Sequence, residues 1–303
     1  MRIVETTIEC ASRTDRFELF VFGDMHIGKR NCDENAIRKQ VSEILRSSKM
    51  PGRHIRVLLG GDNINAVIPK DIKRFDFNDM ADWFVNDEKL DWREMLGDAI
   101  NQEIRRAISI LQPIQHLIIG ALHGNHEDAI RKHHNVDVHT RLCDKLEVED
   151  LTDEAFVRLR FKYGATSSTV KVYLRHGYGG GRGAGAEPNK LAALLAEWED
   201  ADICFTGHTH SFCIAAPKPV PFIPNRGKLP PKLCIRHRYA ANWGCWLLSH
   251  IIGPGSYESA ACYPSRPMMT IKAVIWPFFH STQLGREQDI TRPKIEIRSY
   301  PLV

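Results

Sequence analysis

Leu19-Phe20-Val21-Phe22-Gly23-Asp24-Met25-His26 leads from four consecutive apolar residues into a carboxylate and an imidazole. An apolar run this short, ended abruptly by Gly, Asp or His, reads as a buried strand whose C-terminal end carries polar side chains. The pattern recurs along the chain. Val57-Leu58-Leu59 precedes Gly60-Gly61-Asp62, and Leu117-Ile118-Ile119 precedes Gly124-Asn125-His126-Glu127. Val170-Lys171-Val172-Tyr173-Leu174 precedes His176-Gly177, and Ile203-Cys204-Phe205 precedes Gly207-His208-Thr209-His210. Strand ends that deliver two carboxylates, an amide and several imidazoles to one place are enough to ligate two adjacent metal ions, since carboxylate oxygen and imidazole nitrogen suit Mn²⁺, Fe and Zn²⁺.

The segments between these runs predict how the strands connect. Asp33 can cap a helix in which Ile37, Val41, Ile44 and Leu45 share a face, and Pro51-Gly52 ends it before the next strand. That is a strand–helix–strand crossover, the unit of a parallel sheet. A long helix is expected over 87–111, with a stripe from Trp92 through Met95, Leu96, Ala99, Ile100, Ile104, Ala107 and Ile108 to Leu111, stopped by Pro113. A polar helix over 127–146 would put His133, His134 and His139 on a solvated face. Residues 1–18 read as an edge strand and turn, 155–163 and 168–176 as an antiparallel hairpin, and 191–198 as an apolar helix. Six prolines between Pro217 and Pro231 mark a long loop, and strand-like pieces return at 233–240, 269–276 and 293–299. The expected architecture is α/β: a two-sheet β-sandwich flanked by helices, one domain over 1–303, with 212–303 completing the second sheet.

The five motifs, in this order, resemble those of the calcineurin-like metallophosphoesterases, over about Leu19 to His210. The resemblance implies that family's fold and a dinuclear-metal-dependent phosphoesterase. It assigns Asp24, His26 and His210 to one metal, Asp62 to the bridge, and Asn125, His176 and His208 to the second metal. The cofactors implied are two divalent ions, Mn²⁺ ahead of Fe or Zn²⁺. It further implies that a hydroxide bridging the ions attacks phosphorus while His126 protonates the leaving group. In one respect the chain departs from the family. Many members carry a second Asp three residues after the bridging one, and it pairs with the catalytic histidine. Here Asn65 stands there. An amide can orient an imidazole but cannot stabilise its cation as a carboxylate does, so Glu127, Asp128 or another acid is a competing partner for His126.

The protein-phosphatase branch usually has Gly-Asp-x-x-Asp-Arg-Gly, and the recombination nucleases more often have Gly-Asn-His-Asp. Neither is present, which leaves a small stand-alone member of the bacterial or phage type. The expected substrate is a phosphodiester, a nucleic acid or nucleotide. A phosphomonoesterase with the same site, and a non-catalytic metal-binding scaffold for a nucleic-acid or protein partner, are the alternatives. Loops 66–86, 177–189 and 212–232 would shape the substrate pocket. Arg182, in the glycine-rich stretch after His176, could fork onto a phosphate; Asn65 is a second candidate substrate contact, and Lys29 and Arg30 adjoin the first motif. Arg236-His237-Arg238-Tyr239 mixes phosphate-binding and base-stacking types, but such a stretch is more often one face of an exposed strand.

The formal net charge of +4 permits a nucleic-acid partner without demanding one. No apolar run approaches the roughly 20 residues of a membrane span. The N-terminal residues lack the apolar core of an export signal, and the eight cysteines include no Cys-x-x-Cys pair. Reduced thiols and a cytoplasmic location are therefore expected.

Overall fold

A computed structural model describes residues 1–67, 75–85, 98–179, 185–223, 233–249, 269–279 and 292–301. In chain order the strands among them are β1 Arg2–Glu9, β2 Arg16–Phe22, β3 Arg53–Leu59, β4 Ile118–Ala121, β5 Glu149–Asp150, β6 Glu154–Tyr163 and β7 Thr166–Arg175. They continue with β8 Ile203–Thr206, β9 Phe212–Ile214, β10 Lys218–Phe222, β11 Cys234–Trp243, β12 Met269–Phe279 and β13 Arg292–Pro301. They form two sheets. One has the order β1-β6-β7-β8-β11-β10 with β9 added onto β11, and the other has the order β13-β12-β2-β3-β4-β5. The chain is thus an α/β protein with two sheets flanked by helices, the architecture expected from the sequence. One part of that expectation needs correcting. Of the strands described within 212–303, β9, β10 and β11 join the first sheet, whereas β12 and β13 join the second, so together they do not complete a single sheet.

Side-chain alternation explains why the runs before the motifs are apolar throughout. On β2, Phe17, Leu19 and Val21 face the interior between the sheets, where they meet Val157, Leu159, Phe161 and Val172 of the first sheet and lie beside Ile271, Ala273 and Ile275 of β12. Phe20 and Phe22 face the other way, onto a second core shared with Ile37, Val41 and Ile44 of helix Glu34–Ser48 and with Ile104, Ala107 and Leu111 of helix Ala99–Leu111. A strand buried on both faces has little place for an unpaired polar side chain until it leaves the sheet. Glu18, the one acid within β2, is buried in an ion pair with Lys272 at 2.7 Å. On the opposite side, Val170, Val172 and Leu174 point inward, while Tyr173 and Cys204 pack against Leu191, Leu194 and Leu195 of helix Ala186–Glu197.

The strand–helix–strand crossover is present: β2 and β3 pair in parallel and helix Glu34–Ser48 connects them, its N-terminus capped by Asp33 accepting from the Ala36 N–H at 2.9 Å. β1 lies at a sheet edge, and β6 and β7 form the expected hairpin, closed by Gly164 in the left-handed region at φ +55°. Of the long helix expected over 87–111, Ala99–Leu111 is helical and continues into a 3-10 turn containing Pro113; Trp92, Met95 and Leu96 lie outside the described residues. The proline-rich stretch is not all loop, because Pro219 and Pro221 sit in β10, an edge strand, where a residue without an N–H can be accommodated.

Two readings of surface residues are overturned. The polar helix is two helices, Asn125–His134 and Val138–Leu146, and His139 is buried in the second, against Asp150 at 3.1 Å and Cys143 at 3.4 Å. The side chains of His133 and His134 lie outside the described residues. Arg238 is also buried rather than offered to a nucleic acid. Its guanidinium donates to the Ala201 carbonyl at 2.7 Å, the Leu195 carbonyl at 2.8 Å and the Trp198 carbonyl, closing the end of helix Ala186–Glu197. An alternating sequence cannot separate an outward arginine from one that finds three carbonyls inside. Among the described residues, no helix is long and apolar enough to cross a membrane.

Burial alone would lower the His139 pKa, but the hydrogen bonds to Asp150 and Cys143 push it up to about 10. The bond from His139 holds Asp150 down at about 2. A raised histidine contributes stability fully below its unfolded value near 6.5 and loses it as pH climbs through about 10. The depressed carboxylate contributes above about 3.8 and loses its share as pH falls toward about 2. The stability difference between the wild type and His139→Gln, measured by denaturant titration, should therefore be widest from about pH 4 to 6.5 and shrink by pH 10. A difference that does not change with pH would show that this pair does not titrate as described.

Candidate metal centre

The motif strands β2, β3 and β4 are parallel within one sheet, and β7 and β8 are parallel within the other. All five release their chain at one end of the molecule. Main-chain bonds join the released segments in pairs: Asp24 N–H donates to the Gly61 carbonyl and His26 N–H to the Asp62 carbonyl, each at 2.9 Å, and Gly207 N–H donates to the His176 carbonyl at 2.9 Å. The backbone turns sharply here. Asp24, His26, Asp62, His208 and His210 all have left-handed φ, between +47° and +69°. Each such non-glycine residue costs on the order of 1 kcal/mol, a cost the surrounding contacts must offset.

All seven candidate ligands come together. His26 Nε2 and His210 Nε2 are 3.0 Å apart, and His210 Nε2 is 3.4 Å from Asp24 Oδ1. Asn125 Oδ1 is 2.7 Å from His208 Nδ1 and 3.2 Å from His176 Nε2. Asp62 Oδ2 lies between these sets, 3.8 Å from His26 Nε2 and 3.3 Å from His176 Nε2. Asp24, His26, Asp62 and His176 are buried, whereas Asn125 is exposed and His126, His208 and His210 are partly exposed, so the cluster opens to solvent on one side.

The donor set fits a pair of cations. Asp24 Oδ1 is buried without a hydrogen-bond partner, although Asp24 Oδ2 accepts from the Trp243 indole N–H at 2.6 Å and from the His208 N–H at 3.0 Å. A buried carboxylate oxygen without a hydrogen bond is costly unless a cation or proton satisfies it. Burial and the neighbouring His126 hold the His26 pKa well below the ordinary imidazole value, and burial with His176 lowers that of His208, which keeps both rings neutral and able to ligate. His176 behaves differently. Burial disfavours its charge, yet the Asp62 carboxylate raises its pKa to about 10. Asp62 is in turn held well below the carboxylate range: burial opposes this, but His176 and His126 prevail.

His126 stands beside the cluster, its ring 4.6 Å from that of His26 and its N–H donating to Asp62 Oδ1 at 2.9 Å. Its Nδ1 is 2.5 Å from the Asn65 main-chain carbonyl. The partner is therefore the backbone of residue 65, not its amide side chain. The acids expected as competing partners are occupied elsewhere. Asp128 pairs with Arg131 and Lys132. Glu127, buried at the start of helix Asn125–His134, accepts from the N–H groups of Asn63 at 2.7 Å, Gly124 at 2.9 Å, Asp62 at 3.2 Å and Ile64 at 3.3 Å. It thereby binds the second motif to the third. A Glu three residues past the helix-capping glycine is the sequence signal for the Gly124 bond alone.

Other supports are not visible in the sequence. Trp243, at the end of β11, lies under the centre so closely that a Cβ on Gly23, Gly60 or Gly207 would approach its ring to 2.3, 2.6 or 2.2 Å. Asn242 and Glu187 hold Thr209 through bonds of 2.9 Å each, steadying the loop between His208 and His210. Glu103, buried, accepts from the Ala66 N–H at 2.7 Å and so fixes the chain just after Asn65. Of the remaining candidates, Arg30 pairs with Asp82 at 3.2 Å, and Arg182 lies outside the described residues, as does part of each expected pocket loop. His123 contributes no donor to the cluster and packs edge-on against His139 at 5.5 Å.

No protein family matches the sequence, and no curated protein is detectably similar to it. Among solved structures, a conserved uncharacterised protein of Streptococcus pneumoniae TIGR4, described as a predicted phosphoesterase, is similar over 93% of this chain and 98% of its own, at 12% identity and a TM-score of 0.32. A protein of unknown function from Aquifex aeolicus is similar over 64% of this chain and 80% of its own, at 10% identity and a TM-score of 0.26. Likenesses this weak decide neither the fold nor the chemistry, which rest on the sequence and the geometry above.

Trp243→Phe keeps an aromatic ring over the glycines but removes the donor to Asp24. Metal affinity, measured by chelator competition, should fall by about 10–100-fold, the usual effect of losing a bond that orients a ligand. Unchanged affinity would show that the indole N–H does not tune Asp24. Asp62→Asn should weaken both metal positions together; loss of only one would remove Asp62 from the bridging place.

Proposed function

We propose that the chain is a dinuclear-metal-dependent phosphoesterase that hydrolyses a phosphodiester, with a nucleic acid or nucleotide as the substrate class. The observation that carries this reading is the place of Asp62 Oδ2, between an Asp24–His26–His210 set and an Asn125–His176–His208 set, with His126 alongside. When bound, two divalent cations there would supply the charge that holds phosphoryl oxygens and lowers the pKa of a water for attack. Asp24, His26 and His210 would hold one, Asn125, His176 and His208 the other, and Asp62 both.

The chain's own residues account for the rest. Asn125 brings no charge, which leaves the centre positive enough to accept a phosphate. Its exposed position, with His208 and His210 partly exposed beside it, provides the open side through which an ester approaches. The Asn65 carbonyl accepts from His126 Nδ1–H, so the proton passed to the leaving oxygen is the one that Nε2 carries in the imidazolium form. Glu127 and Glu103 act at one remove, by fixing the backbone of residues 62–64 and of residue 66.

Hydrolysis of bis-nitrophenyl phosphate by purified protein with Mn²⁺, beside the mononitrophenyl ester and a chelated control, tests the reading. Metal-dependent turnover that favours the diester is expected. A monoester preference would make the protein a phosphomonoesterase, and inertness of the metal-loaded protein toward both would favour a partner-binding role. His126→Ala should retain its metals and lose about 10²–10⁴-fold in rate on alkyl phosphodiesters, with a much smaller loss on nitrophenyl esters, whose leaving groups need no proton. Equal losses on both would take the leaving-group role from His126.

A further inference from the structure

A second group of metal-binding side chains lies away from the strand-end centre. Cys10 directly follows β1, Asp15 immediately precedes β2, and His54 is the second residue of β3. One donor atom from each, a thiol sulfur, a carboxylate oxygen and an imidazole nitrogen, lies within 4.8 Å of the other two. Strands β2 and β3 carry their motifs at their C-terminal ends, so this group sits at the opposite end, about 20 Å of strand away.

The carboxylate is placed for the purpose. Asp15 is only 4% exposed, and its Oδ2 accepts from the Ala11 N–H at 2.8 Å and lies 3.1 Å from His54 Nε2. Two ligands on one tetrahedral zinc, each about 2.0–2.1 Å from the metal, stand roughly 3.3 Å apart. An ion pair between Asp15 and His54 would account for two of the residues, and the bond from His54 holds Asp15 below the usual carboxylate range against the effect of burial. It does not account for a thiol sulfur within 4.8 Å of both. A thiolate beside a bare carboxylate would be repelled by it. A cation in the middle reverses that relation, because a coordinating thiol is deprotonated outright.

We propose that Cys10, Asp15 and His54 bind a zinc-class cation at a structural site distinct from the strand-end centre. A sulfur–nitrogen–oxygen set selects zinc and its close relatives over magnesium or calcium. Binding releases the Cys10 proton to solvent, and His54, with its side chain 26% exposed, leaves room for a water as fourth ligand. The cation would join the segment after β1, in one sheet, to the starts of β2 and β3 in the other.

Co²⁺ titration of the full chain under reducing conditions tests this, because thiolate ligation produces a near-ultraviolet charge-transfer band and none of the strand-end ligands is a thiol. Wild-type protein should develop the band with a single equivalent at this site, and Zn²⁺ should bleach it. Cys10→Ser and His54→Gln should each lose the band while keeping the strand-end metals, and zinc should raise the thermal midpoint of the wild type by more than that of either variant. Two independent variants keep the test decisive if one of them folds poorly. Absence of the band from the wild type at saturating Co²⁺, or its survival in Cys10→Ser, overturns the proposal. Neither result depends on whether the strand-end centre hydrolyses phosphoesters.

Discussion

Everything at the strand-end centre rests on the contact between one indole and three glycines. Trp243 is buried beneath Gly23, Gly60 and Gly207, each of which stands at the end of a different strand. Any side chain at those positions would drive a Cβ into the ring, so the strand ends can converge only because these residues are bare. The same indole donates its N–H to Asp24. Packing and polarity thus meet in a single side chain: the ring sets how closely the strand ends approach, and the nitrogen sets how the first carboxylate is turned.

Convergence places strain where the candidate ligands are. Five of the candidate ligands have left-handed backbone that L-residues avoid. What holds them is a set of buried hydrogen bonds from elsewhere in the chain. Glu127 gathers four N–H groups, two of them at Asp62 and Asn63, and Asn242 with Glu187 grips Thr209. These polar groups are costly to bury and are well used, the condition under which they rigidify a site.

What can be read from the sequence follows from where information is local. The runs Leu19–Phe22 and Ile203–Phe205 announce strands buried on both faces, and the polar residues just after them are close in sequence to the elements that aim them. Trp243 bonds to a residue 219 positions away, and nothing near it distinguishes it from any other core aromatic. His139 and Arg238 mislead for a related reason: each looks solvated beside its charged neighbours, and only tertiary contacts with Asp150 or with three carbonyls take it inside. The division of strands β9 to β13 between two sheets likewise depends on long-range pairing, which short strand-like pieces do not encode.

The hydrogen bond from His126 to the carbonyl of residue 65 has a consequence for how this chain tolerates change. A backbone acceptor belongs to the position and not to the amino acid occupying it. So long as the loop keeps its path, residue 65 can vary without disturbing the orientation of the histidine, and its side chain is available for other duties. An aspartate there would be one solution among several. The orientation of His126 is inherited from the fold, and a mutation that re-routes the loop would be more damaging than one that only replaces Asn65.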